Sequence, residues 1–142
     1  MLIKGSSEWV TIDIEKRRIA SPGKLYNLSD DEFLKEKNFE GKFFKVPSFD
    51  ADGEGFKIRP SYTDFDINCH VNNTKYADFI LNAYPLKVNE EIRTMQIDYH
   101  LEIKETEEIS VYYKKETDTL LFAGKNKNGQ LNFSAYIKNR NG

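Results

Sequence analysis

The sequence predicts an α+β domain in which one central helix is wrapped by a curved antiparallel β-sheet. Three observations lead there. A short amphipathic helix, with Tyr76, Phe79, Ile80, Ala83 and Tyr84 on one face, lies between one upstream strand and four downstream segments of alternating apolar and polar residues. Asn128-Gly129 separates two of those segments, a strong hairpin signal. Eight Tyr and ten Phe favour a sheet-rich fold with an aromatic core. One helix against a curved antiparallel sheet is the simplest arrangement that buries both apolar faces.

In chain order, Glu8 to Ile14 alternates as a strand, and the charged Glu15-Lys16-Arg17-Arg18 run turns the chain into a short second strand ending before Ser21-Pro22-Gly23. Ser29 and Glu32 have capping-box spacing, which places a short helix over Asp30 to Lys37. Residues 48–55 are rich in Asp and Gly and read as a plain turn, because a calcium loop of that type lacks its closing Glu. Phe56 to Tyr62 reads as a strand. Asn72 or Asn73 can cap the central helix, near eleven residues long and stopped by Pro85. Arg93 to Ile103 then alternates, with Met95, Ile97, Tyr99, Leu101 and Ile103 on one side. Glu108 to Glu116, Thr119 to Lys125 and Gln130 to Lys138 complete a meander.

The 142 residues suit one domain with a sizeable core. A net charge of −2 supplies no electrostatic reason for a nucleic-acid partner, and the lysines near residues 45–87 read as solvated surface. The one cysteine, Cys69, excludes an internal disulfide and suits a reducing compartment. No transmembrane or signal segment is evident, so a cytoplasmic protein without membrane contact is expected.

The segment Asp64 to Tyr76 concentrates two Asp, one of the two His and three Asn directly before the central helix. Asp66, Asn68 and His70 alternate, so an extended backbone would project all three to one side. An acid, an amide and an imidazole converging before a helix N-terminus can position a water, move a proton and stabilise an oxyanion. Cys69 would then face the other way, as a small buried hydrophobe rather than a nucleophile. His100 reads as a surface strand residue. A zinc site from two His on separate elements has little support, and no metal or cofactor is expected.

Three stretches of the chain resemble the hotdog-fold fatty acyl-ACP thioesterases. SSEWVTIDIEKRRIASP is similar to the end of the family's first hotdog half, IRPSYTDFDINCHVNNTKYADFILNAYP to the opening of its second, and MQIDYHLEIKETEEI to a strand of that second half. The resemblance places Asp66, Asn68, His70 and Glu102 at catalytic positions. It differs at Ile103, where plant members carry a Cys after the Glu, so no thiolate can act there. Residues 1–25 would be terminal strands of a preceding half, 26–54 a linker with a short helix and strand, and 55–142 the C-terminal hotdog domain. With the rest of the first half absent, an exposed sheet edge or helix face would be covered by a second copy, and a homodimer is expected.

The resemblance further implies hydrolysis of a fatty acyl thioester on acyl carrier protein by a carboxylate-activated water. Either Glu102 or Asp66 would serve as base, with its basicity raised by desolvation beside an acyl channel. Asn68 would orient the water or the carbonyl, and His70 would hold Asn68 or handle the proton. Backbone amides at Val71, Asn72 and Asn73 would face the oxyanion. The alternatives are an acyl-CoA thioesterase of the 4-hydroxybenzoyl-CoA type and a non-catalytic acyl-binding hotdog.

Overall fold

A computed structural model describes residues 3–13, 15–16, 18–27, 29, 31, 43–51, 53–105 and 107–140. The expected helix over Asp30 to Lys37 lies outside the described residues. Contacts divide the chain into two units, Met1–Phe43 and Phe44–Gly142.

In the first unit, β1 (Thr11–Asp13) pairs antiparallel with β2 (Arg18–Ala20), and Asp13 closes the turn by accepting the Lys16 amide at 3.0 Å. The second strand ends before Ser21-Pro22-Gly23, as expected, and the chain then forms α1 (Pro22–Tyr26). Pro22 is suited to a first helical position, and Asn27, at φ 52°, ends the helix in the left-handed region.

The second unit holds one sheet of order β3-β5-β6-β7-β4, antiparallel throughout. Its strands are β3 (Phe56–Ile58), β4 (Glu91–Tyr99), β5 (Ile109–Lys115), β6 (Thr119–Asn126) and β7 (Leu131–Arg140). The meander and its Asn-Gly turn form as expected, with Gly129 at φ +75°. Two strands, β3 and β4, end well before their expected limits of Tyr62 and Ile103. β3 stops at Ile58, and Tyr62–Asp64 coils into a 3-10 turn because Asp64 accepts both the amide and the hydroxyl of Ser61. β4 stops at Tyr99, since both His100 and Leu101 turn their amides onto one carbonyl, that of Asn132.

The central helix, α2 (Lys75–Ala83), buries Tyr76, Phe79, Ile80 and Ala83 against Ile109 and Val111 of β5, Leu120 and Phe122 of β6, and Phe133, Ala135 and Ile137 of β7. Fully burying a side chain of the Phe79 or Ile80 class stabilises by about 1.5–3 kcal/mol. Helix and sheet are thus held by the periodicities that predict them. At the helix C-terminus Lys115 donates to the Tyr84 hydroxyl at 2.8 Å and pairs with Glu90 at 3.1 Å, tying the exit of α2 to β5.

The other sheet face is contacted by Phe44, Val46 and Gly55. The Phe44 ring meets Tyr136 edge-on at 5.1 Å, and the Val46 amide donates to Asp98 at 3.1 Å. Gly55 lies so near the Tyr112 ring that a Cβ there would approach it to 3.0 Å. A second close fit lies inside the core: a Cβ on Gly124 would fall 2.0 Å from the Phe133 ring, so only glycine admits that ring.

Candidate active site

The segment from Asp66 to His70 is a closed turn, not the extended strand that its alternation suggests. Phe65 and Val71 form an antiparallel bridge, and the Asp66 amide donates to the His70 carbonyl at 2.8 Å. The Asp66 carboxylate folds back into the turn. Its Oδ1 accepts the amides of Asn68 at 2.8 Å and His70 at 3.1 Å. An Asp side chain competes with the strand ladder for backbone donors, and here it wins. To complete the turn Cys69 adopts φ +60°, rare for a residue with a Cβ, and its thiol is exposed, not buried.

This geometry reverses the expected basicity of Asp66. The His70 amide, assisted by the amide and side chain of Asn68, holds the carboxyl below its ordinary value of 3.8. Desolvation pulls the other way, and the hydrogen bonds together outweigh it. Its carboxylate organises a turn and is a weak proton acceptor.

Glu102 differs. It leaves β4 on the irregular segment after Tyr99, and its Oε2 lies 3.2 Å from His70 Nε2. The two chain segments are joined by backbone: His70 bridges Lys104, and the Val71 amide donates to the Ile103 carbonyl at 3.3 Å. Ile103, beside the catalytic candidate, is wholly buried in the core. The pair itself is open, with His70 41% and Glu102 62% exposed.

Of the three amides expected to face an oxyanion, two already have partners. Val71 donates to Ile103, and Asn72 donates to the Asp64 carbonyl at 2.8 Å. Both complete the pairing that seats the turn. The Asn72 side chain accepts the Thr74 amide and hydroxyl at 3.0 and 2.8 Å, which shapes the entry to α2, and the Asn73 carbonyl accepts the Tyr99 hydroxyl at 3.1 Å. Tyr76, one turn into the helix, is buried edge-on to Tyr99 and Phe133, and desolvation pushes its hydroxyl up to about 12. It stays a neutral hydroxyl at any physiological pH.

The structure therefore brings His70 and Glu102 together, and Asp66 onto the backbone of Asn68 and His70. His100 lies away from this pair, its Nε2 3.0 Å from the Ser134 hydroxyl. Among the described residues, no group of three or more His, Cys, Asp and Glu side chains is arranged to hold a metal ion, and no helix is long and apolar enough to cross a membrane. One residue near the site escapes sequence reasoning. Asn132, only 1% exposed, donates its side-chain amide to the carbonyls of Leu101 at 3.4 Å and Glu102 at 3.3 Å. Its polar position in an alternating strand reads as solvent-facing, and nothing in the pattern reveals the burial.

A helix packed on this sheet, with an acid–imidazole pair beside its N-terminus, defines a hotdog-fold domain. The fold matches that of an acyl-ACP thioesterase from Bacteroides thetaiotaomicron, with TM-score 0.78 and 19% identity over 91% of this chain and 53% of that one. It also matches a 12:0-ACP thioesterase from Umbellularia californica, with TM-score 0.67 and 19% identity over 91% of this chain and 52% of the other. A family model described as the acyl-ACP thioesterase C-terminal domain covers residues 48–142, and the chain belongs to that family. A chloroplastic palmitoyl-acyl carrier protein thioesterase of Cuphea hookeriana is 31% identical over 109 residues, 72% of this chain and 26% of that protein. The chain thus spans about a quarter of the length of the plant relatives it matches.

Proposed function

We propose that this domain hydrolyses fatty acyl thioesters carried on acyl carrier protein, as part of fatty acid biosynthesis, with Glu102 as the base that activates water. The reading rests on the Glu102–His70 contact at 3.2 Å, set against an Asp66 carboxylate already held by two amides. Glu102 takes a proton from water as the oxygen attacks the thioester carbonyl. The tetrahedral oxyanion is met by the side-chain amide of Asn68 and the amide of Asn73. Collapse expels the carrier's thiolate, which takes a proton from the Glu102–His70 pair. Asp66 fixes the turn that presents Asn68 and His70, so its role is positioning.

In this reading the protein acts in the cytoplasm, and residues 1–25 are the closing strands of a preceding hotdog half, with 26–54 as linker and 55–142 as the domain that carries the site. A second copy of the chain covers the edge of β4 that no strand pairs among the described residues, β7 lying on its other side. Purified chain assayed side by side on acyl-ACP and acyl-CoA is expected to prefer the carrier protein. Glu102→Gln is expected to lower kcat by about 10²–10⁴-fold, the usual contribution of a general base, while circular dichroism stays unchanged. A folded chain inert on both substrates refutes the hydrolase reading, and a fully active Glu102→Gln refutes the choice of base.

A further inference from the structure

We infer that Asn132 is the positioning residue for Glu102, an inference that rests on the reading of Glu102 as base. β4 leaves its ladder after the Tyr99–Phe133 pair, and the next three residues are all held by Asn132. Its carbonyl accepts the amides of His100 at 2.8 Å and Leu101 at 3.1 Å, and its side-chain amide donates to the carbonyls of Leu101 and Glu102. Four hydrogen bonds from one residue therefore fix the departure of the chain toward His70.

The main-chain carbonyl alone would close the end of the strand. The side-chain bonds add something the sheet does not require, and they carry a cost: Asn132 Oδ1 is buried with no partner among the described residues. A buried acceptor left unpaired is destabilising, because it gives up its hydrogen bond to water and gains none in the fold. Such a penalty, set beside an exposed acid whose own side chain is more than half in solvent, is expected where a site needs rigidity the solvent side cannot give. The backbone of Glu102 is gripped before it by Asn132 and after it by the Val71–Ile103 bond, so the carboxylate pivots from a fixed point beside the imidazole.

The test uses Asn132→Ser, with Asn132→Leu as a second variant of similar volume without polar atoms. Each is expected to lower kcat on acyl-ACP by about 10–100-fold, the loss typical of a small misplacement, with KM nearly unchanged. Because Asn132 acts through Glu102, the double variant Glu102→Gln/Asn132→Ser is expected to be no slower than Glu102→Gln alone. Nuclear-spin relaxation of the Glu102 side chain supplies an activity-independent measure: its order falls in Asn132→Ser while that of Glu107 does not. Full additivity with Glu102→Gln, or a Glu102 side chain as ordered as before, overturns the inference. An undiminished Glu102→Gln single variant instead removes the base assignment beneath it, a separate outcome.

Discussion

Phe133 and Asp66 lie at opposite extremes of the same domain. Phe133 is fully buried, edge-on to Tyr76 at 5.3 Å and seated in the space left by Gly124. Asp66 is exposed and touches mainly backbone amides. The interior is held by shape and removal from water, whereas the turn that carries the candidate chemistry is held by directed hydrogen bonds at the surface. Stability and the proposed activity therefore draw on different residues, and a change in one region need not register in the other.

The sharpest way to break this division is in the core. Phe133→Ala is expected to lower unfolding free energy by about 3–5 kcal/mol in chemical denaturation, through lost burial and a cavity beside Tyr76. Gly124→Ala attacks the same contact from the other side and is expected to lose about 1–3 kcal/mol, because the new methyl group and the ring claim one space.

At the turn the expected pattern inverts. Asp66→Ala is expected to lower kcat about 10–100-fold with little change in the thermal midpoint, since the turn presents Asn68 and His70 and leaves the core untouched. Acid titration probes the same bonds. The Asp66 carboxyl lies below 3.8 in the folded chain, so its stabilising effect is complete above that pH and is lost as pH falls through the lowered value. Amide resonances of Asn68 and His70 are expected to move in that window before those of core methyl groups. Simultaneous movement would mean that turn and core melt as one unit. The smallest effect is expected at Cys69, where glycine relieves the φ of +60°. Cys69→Gly is expected to gain up to about 1 kcal/mol with activity retained, read from the denaturation midpoint.

The same contrast explains what the sequence makes legible. Tyr76, Phe79, Ile80 and Ala83 recur at helical spacing, and the strands after residue 108 alternate over enough residues to define their faces, so helix and meander appear as read. Burial imposes a period, and a period can be seen in one dimension. The Asp66–His70 turn also alternates, but there the pattern carries no burial. What decides its shape is an Asp oxygen capturing amides two and four residues ahead. Asn132 is hidden for a related reason: its partners lie some thirty residues back along the chain, on a segment where β4 has stopped being a strand. The pairing of His70 with Glu102 was legible only as a family resemblance, because nothing local to either residue points to the other.

The stitching of the turn to the segment after β4 makes the site sensitive to length. His70 bridges Lys104, Ile103 points into the core, and Glu102 points out beside the imidazole. With His100 held on the Asn132 carbonyl, deleting Leu101 would bring Ile103 to the place beside the imidazole and move the carboxylate away from it. Substitutions can accumulate along this stretch while the chemistry survives. Insertions and deletions cannot, and descendants of this domain are bound to keep the count.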